Sequence, residues 1–356
     1  MWAGADIWSF DVGCWMLDVF RFKTMSQSTR ISYVIMAVLF VLIAWLHLGT
    51  LMLTTLFGYF ALRQLNFGGR KWLAATIYVL AVAAIGYGLF FFSKKAYIAL
   101  PEIANKTIPA VVNFAEERQI ELPFTDYATL KTAALKEVGD SFANIRHYAG
   151  AAAFALAQLL IGLVVALSMF LNARWGTEAD SQTTRDSLYS TVVVELSRRF
   201  RIFFGSFSKV IGAQIIISVI NAGLTAIFLT WNGFPNAWVI IVLTFLCGLL
   251  PIIGNLISNT LIVGLAFTIS PRMALVSLIF LVVIHKLEYF LNSKIIGDRI
   301  KNPMWLTLIG LVLGEKLMGI PGMILAPVVL HYIKVEASHN KVSDAPQAAV
   351  PPPPTA

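Results

Sequence analysis

From Val210 to Pro271 the chain carries no Asp, Glu, Lys, Arg or His. A water-soluble domain cannot run that far without placing a charge on its surface, so this stretch restricts the chain to folds solvated by hydrocarbon. Further apolar blocks lie at 31–62, 72–92, 149–171 and 273–293, each at or beyond the length of about 20 residues that one helical crossing of a bilayer needs. Only 13% of the residues are charged and 58% are hydrophobic. The sequence therefore predicts an all-α, polytopic membrane protein, because an open sheet edge has no partner in lipid.

Punctuation within the blocks predicts their shape. A single helix over 31–62 would be about 48 Å long, more than a core of about 30 Å, so Gly49 and Thr50 are expected to divide it into a tight helical hairpin. The single histidine there, His47, reads as a hydrogen-bonded residue. Residues 94–148 hold seven basic and seven acidic side chains. Pro101, Pro109 and Pro123 are expected to break that stretch, and 126–146 has one apolar helical face; together they predict a small extracytoplasmic helical insert. An amphipathic stripe of Tyr189, Val193, Leu196, Phe200 and Phe203, with Arg198, Arg199 and Arg201 facing elsewhere, fits either an interfacial helix on anionic lipid or a helix packed on its own protein.

Two segments carry breaks at depth. The stretch 236–269 is interrupted at Pro251 and Gly254. The stretch 303–333 divides into arms 304–314 and 320–332 around Gly314, Gly319, Pro321 and Gly322, with Pro327 in the second arm. Each arm is short for a crossing, about 15–22 Å by rise per residue. They read as two broken or re-entrant hairpins of opposite entry, or as ordinary helix pairs kinked by proline. Inverted repeats of broken helices are a common way to build a midplane substrate site. The expected layout is about eight membrane segments: a cytoplasmic or interfacial 1–30, helices one to three in 31–93, the insert 94–148, helix four at 149–171, a linker and amphipathic helix 174–208, a transport core 209–333 and a cytoplasmic tail 334–356. Residues 1–24 fit an interfacial helix, or else precede a translation start at Met25. Lys and Arg concentrate at 21–30, 63–71, 174–209 and 294–301, which predicts cytoplasmic termini in a bacterial inner membrane.

Chemistry is sparse. There is no P-loop, GxSxG or HExxH, and Cys14 and Cys247 read as small apolar residues, so neither an enzyme, a metal site, a cofactor nor a nucleic-acid partner is expected. Inside the 273–293 span lie His285, Lys286 and Glu288. Ionisable groups at such depth usually face the protein interior or a water path. His285 and Glu288, three apart, share a helix face and suit a proton or ion relay. Lys286 suits snorkelling. Asn255 and Asn292 are further candidates for the transport path or coupling, as are Glu315 and Lys316 at the tip of the second hairpin.

Leu250-Pro251-Ile252-Ile253-Gly254, Glu288-Tyr289, Asn292, Pro303, Gly314, Gly319, Gly322 and Ala326-Pro327, in this order and spacing, resemble the autoinducer-2 exporter family, also described as predicted permeases. The likeness is best over 185–333 and looser over 31–148. It implies secondary transport and a homo-oligomer; members have been linked to export of the signalling molecule autoinducer-2 and to sodium/proton antiport. The charged Glu315-Lys316 pair and the N-terminal extension depart from the family pattern. The expected function is thus a secondary-active exporter of a small solute driven by ion or proton exchange, with a cation/proton antiporter and a non-transporting membrane scaffold as alternatives.

Overall fold

The computed structural model describes residues 26–66, 69–118, 145–172, 187–250, 253–296 and 303–339. Among these, ten helices and no strand occur: α1 (Gln27–Trp45), α2 (Gly49–Leu65), α3 (Lys71–Glu117), α4 (Ile145–Leu171), α5 (Leu188–Trp231), α6 (Ala237–Gly248), α7 (Ile253–Phe267), α8 (Pro271–Ile296), α9 (Met304–Met318) and α10 (Ile320–His339). Five stretches, Gln27–Trp45, Lys71–Ala99, Gly150–Leu171, Leu188–Trp231 and Ile320–Ser338, are long and apolar enough to cross a membrane. The helices α6 and α7 are apolar but shorter. Large apolar side chains such as Val41, Leu80, Val164, Ile279 and Val283 are more than half exposed. Such a surface suits hydrocarbon rather than water.

Two compact units divide the chain, residues 1–46 with 172–201 and residues 47–171 with 202–356. The first centres on α1 and the start of α5. Ser26 caps α1, its hydroxyl accepting from the Thr29 N–H at 3.3 Å, which satisfies one of the first-turn donors. Of the two readings left open for the amphipathic segment, Arg199 fits the helix packed on its own protein. It is fully buried, donates from Nε to the Ser32 hydroxyl at 2.7 Å, pairs with Glu195 at 3.2 Å and lies 3.5 Å over the Tyr33 ring. A guanidinium is tolerated there because its fork finds an anion, a hydroxyl and an aromatic face together. Arg198 and Arg201 are exposed.

In the second unit α2 and α4 lie close along Gly58 and Gly162. A Cβ on Gly162 would stand 3.0 Å from the Leu51 carbonyl oxygen, and one on Gly58 2.8 Å from the Ala166 methyl. Small residues of this kind let helices approach without a hydrophobic driving force from water. Leu62, Ala74, Tyr78, Ala166 and Phe170 close the core there. Buried Gln158 holds the start of α2, donating to the His47 carbonyl at 2.9 Å and accepting from the Leu51 N–H at 3.1 Å. The break itself is at His47, whose φ is +52°, rather than at Gly49 and Thr50. The bonded group is its backbone carbonyl; the ring is exposed.

Three expectations about continuity are corrected. Pro101 and Pro109 do not break α3, which runs unbroken for 47 residues. Its outer half packs on the unit's core, with Ile103 among Leu229, Phe234, Ile240, Ile262 and Leu265, and Phe114 against Phe267. The helix hydrogen bonds lost to proline are offset by that tertiary burial. The amphipathic segment and the span after it form one 44-residue helix, α5. The second broken segment also differs: α9 continues through Glu315 and Lys316, and α10 extends to His339, so both arms exceed the expected 304–314 and 320–332. Pro123 and the stretch 126–144 lie outside the described residues, as do 1–25 and 340–356.

Candidate functional site

Three helices of the second unit bring polar groups to one carboxylate. Glu288 sits on α8, with its Oε2 accepting from Asn255 Nδ2 of α7 at 2.7 Å and from Asn221 Nδ2 of α5 at 3.3 Å. Local sequence explains the convergence. Asn255 lies in the first turn of α7, beside Gly254, where α7 touches α6 most closely: a Cβ on Gly254 would stand 2.5 Å from the Cys247 carbonyl carbon. Glycine is required there so that the two backbones can meet, and that contact carries Asn255 to the level of Glu288.

Asn221 belongs to a polar seam that the sequence reading did not single out. Along α5, Gln214, Ser218, Asn221 and Thr225 recur at spacings of four, three and four, one face of a helix. Gln214 donates to the Gly248 carbonyl of α6. Ser218 faces the same glycine, its Oγ 2.8 Å from where a Cβ on Gly248 would be. One turn back along α6, Thr244 shares that face. Ser218, Asn221 and Thr244 are all buried, and Ser218 Oγ, Asn221 Oδ1 and Thr244 Oγ1 lack a hydrogen-bond partner among the described residues. Ser277 Oγ is likewise buried and unpartnered on the Glu288 face of α8. Buried polar atoms are nearly always paired, so these four unpartnered atoms on α5, α6 and α8 stand out within an apolar bundle. The signal was present in the uncharged stretch, as helical spacing of its few polar residues.

Other candidates fall elsewhere. His285 and Lys286 are exposed and line a separate cavity of about 540 Å³ with Asn259 and Thr260. Glu288 itself bonds to α5 and α7 rather than to His285. The Asn292 side chain lies outside the described residues, as does Pro251. Glu315 pairs with its neighbour Lys316 at 3.3 Å, both exposed, in the last turn of α9. They thus stand beside the Gly319 break, in helix rather than loop.

The glycines expected as breaks divide into two kinds. Gly319 is the break between α9 and α10, with φ 63° and ψ −143°, a conformation open essentially to glycine alone. Gly314 and Gly322 are instead contact residues within the helices, where a Cβ on either would overlap the other's carbonyl. Gly254 acts in the same way within α7. Pro321 sits in the first turn of α10, where its missing N–H costs nothing, and Pro327 lies inside the continuing helix. The α9–α10 turn is seated on the start of α2, with Met318 and Pro321 at 3.0 and 3.2 Å from a Cβ on Gly49.

The sequence model described as AI-2E family transporter matches residues 29–339. A Bacillus subtilis (strain 168) protein described as "Putative transport protein YdbI" is 31% identical over 147 residues. That match covers 39% of this chain and 42% of the relative, so it spans less than half of that protein's length.

Proposed function

The chain belongs to the AI-2E transporter family, and from that premise we propose that it is a secondary-active transporter moving a small polar solute past Glu288, coupled to a proton or cation. The observation that carries this reading is the Glu288 carboxylate held by Asn255 and Asn221 from two other helices. Both partners are neutral amides. The negative charge can then be neutralised by a proton or a monovalent cation at Oε1 or Oε2 without displacing a built-in counter-ion. Neutralisation would weaken the two amide bonds, since bonds to a charged acceptor are the stronger ones. The amide bonds at that oxygen are the polar link among α5, α7 and α8, which otherwise pack through apolar side chains, so weakening it favours a shift of α7 against α5, the kind of step alternating access requires.

The unpartnered Ser218, Thr244 and Asn221 oxygens favour a solute rich in hydroxyls, of which autoinducer-2 is one example. They also favour a second reading, a sodium/proton antiporter, because carboxylate, amide and hydroxyl oxygens are ligands for a hard cation. Export as the direction and a homo-oligomer follow from the family resemblance. Loop charge supports a bacterial inner membrane with both termini cytoplasmic.

Purified protein in proteoliposomes tests both. Counterflow of hydroxylated solutes with imposed pH or sodium gradients should be abolished by Glu288→Gln. Sodium–proton exchange without any organic solute would select the second reading. Wild-type flux from Glu288→Gln would sink both.

A further inference from the structure

Next to the Glu288 site, α3, α7 and α8 line the open cavity of about 540 Å³. That volume falls within the usual range for small-molecule sites. One end is polar and basic, formed by Asn259, Thr260, His285 and Lys286. The other is apolar, formed by Val111, Val263, Phe267, Leu278 and Val282. Among the described residues no Asp or Glu lines it.

Lys286 stands 15 residues after Pro271 and 10 before Ile296. Those are about 22 Å and 15 Å of helix, so the ammonium lies within hydrocarbon depth if α8 crosses the bilayer. A cation there is costly and normally has a partner. Among the described residues neither Lys286 nor His285 has an ion-pair partner, and both are exposed to the cavity.

The polarity along the cavity matches one occupant. Proceeding along α8 from Leu278 and Val282 to His285 and Lys286, the wall changes from apolar to cationic towards the end of the helix expected to be cytoplasmic. An inner-leaflet lipid has its tail and head in that same order. We propose that this cavity binds an anionic phospholipid of the inner leaflet, with the phosphate at Lys286 and His285 and an acyl chain along Val282, Leu278 and Phe267. The lipid would thus rest against the two helices that hold Asn255 and Glu288.

Native mass spectrometry of the full-length protein, titrated with phosphatidylglycerol and with phosphatidylcholine of identical chains, tests it. Wild type should retain the anionic lipid in preference to the zwitterionic one. Lys286→Gln should lower phosphatidylglycerol occupancy about fivefold, the effect of one basic residue near a charged lipid surface. Lys286→Arg should keep it, and Val282→Trp, which fills the apolar end, should remove it. Glu288→Gln should bind lipid as wild type does, which separates this site from the transport reading. Equal retention of the two lipids by wild type overturns the proposal, and that measurement stands even if a variant fails to fold. So does unchanged phosphatidylglycerol binding by folded Lys286→Gln. Displacement of the lipid by a water-soluble carboxylate such as octanoate that the protein then transports would also overturn it, in favour of a solute site.

Discussion

Replacing Gly254 by alanine should disable the carboxylate site through backbone packing, without touching a polar atom. A Cβ at that position stands 2.5 Å from the Cys247 carbonyl carbon and 3.2 Å from its Cα. Carbon atoms in contact prefer about 3.5–4.0 Å, so α7 must retreat from α6 by about 1 Å. Asn255 is the next residue. Its 2.7 Å bond to Glu288 would lengthen to about 3.7 Å, beyond hydrogen-bond range. Overpacking costs about 1–3 kcal/mol, and the bond to a charged acceptor is worth about 1.5–3 kcal/mol. Alanine returns about 1 kcal/mol of helix propensity. The net loss is about 1.5–5 kcal/mol, which should lower the melting temperature in detergent by at least about 3 °C and cut solute counterflow by about tenfold or more. Gly223 in α5 is the matched control, since a Cβ there meets nothing within 4 Å; its alanine variant should be neutral or stabilised by up to about 1 kcal/mol. Should Gly254→Ala melt and transport like wild type, the claim that this glycine sets the height of Asn255 is wrong.

Further changes probe other joints. Gln158→Leu should destabilise by about 1–3 kcal/mol, seen as a lower melting temperature, because the Leu51 N–H and His47 carbonyl lose their shared partner. Gly319→Ala should cost a similar amount, about 1–3 kcal/mol, by forcing a Cβ into a glycine-only conformation. Glu102, outside the apolar part of α3, has its pKa held below the ordinary Glu value by a 2.8 Å hydrogen bond from Lys106, by that ammonium's charge and by a hydrogen bond with Asn236. A depressed carboxylate stabilises above its unfolded pKa and loses that contribution as pH falls through its folded value. Melting curves of Lys106→Ala should therefore lie slightly below wild type at neutral pH and merge with it in acid, the step being small because the pair is solvent-exposed.

The parts of this molecule that were legible in the sequence are those set by composition and steric necessity. Uncharged stretches of bilayer length identified the helices of a membrane protein, and Gly319 was recognisable as a break because its neighbours Gly314, Pro321 and Gly322 crowd the same few positions. Continuity was less legible. Proline at 101 and 109 argues locally against helix, yet α3 passes through both, because the burial of Ile103, Val112 and Ala115 depends on partners far away in the chain. Arg199 looked like a surface charge since its burial depends on Ser32 and Tyr33, more than 160 residues earlier.

The same limit applied at the site. Glu288 stood out as a charge in an apolar span, but its spacing to His285 suggested the wrong partner. Residues three apart share a face only loosely, since three steps of about 100° leave a gap of about 60°. In α8 that gap is enough to send His285 to the outer cavity and Glu288 to Asn221 and Asn255. A pair of neutral amides cannot be found by looking for charges. It can be found by asking which few polar residues in an uncharged stretch repeat at helical spacing, and Gln214, Ser218, Asn221 and Thr225 do. Their one shared face is what the proposed transport reading draws on, because a solute crossing the bundle needs successive polar contacts and not a single one.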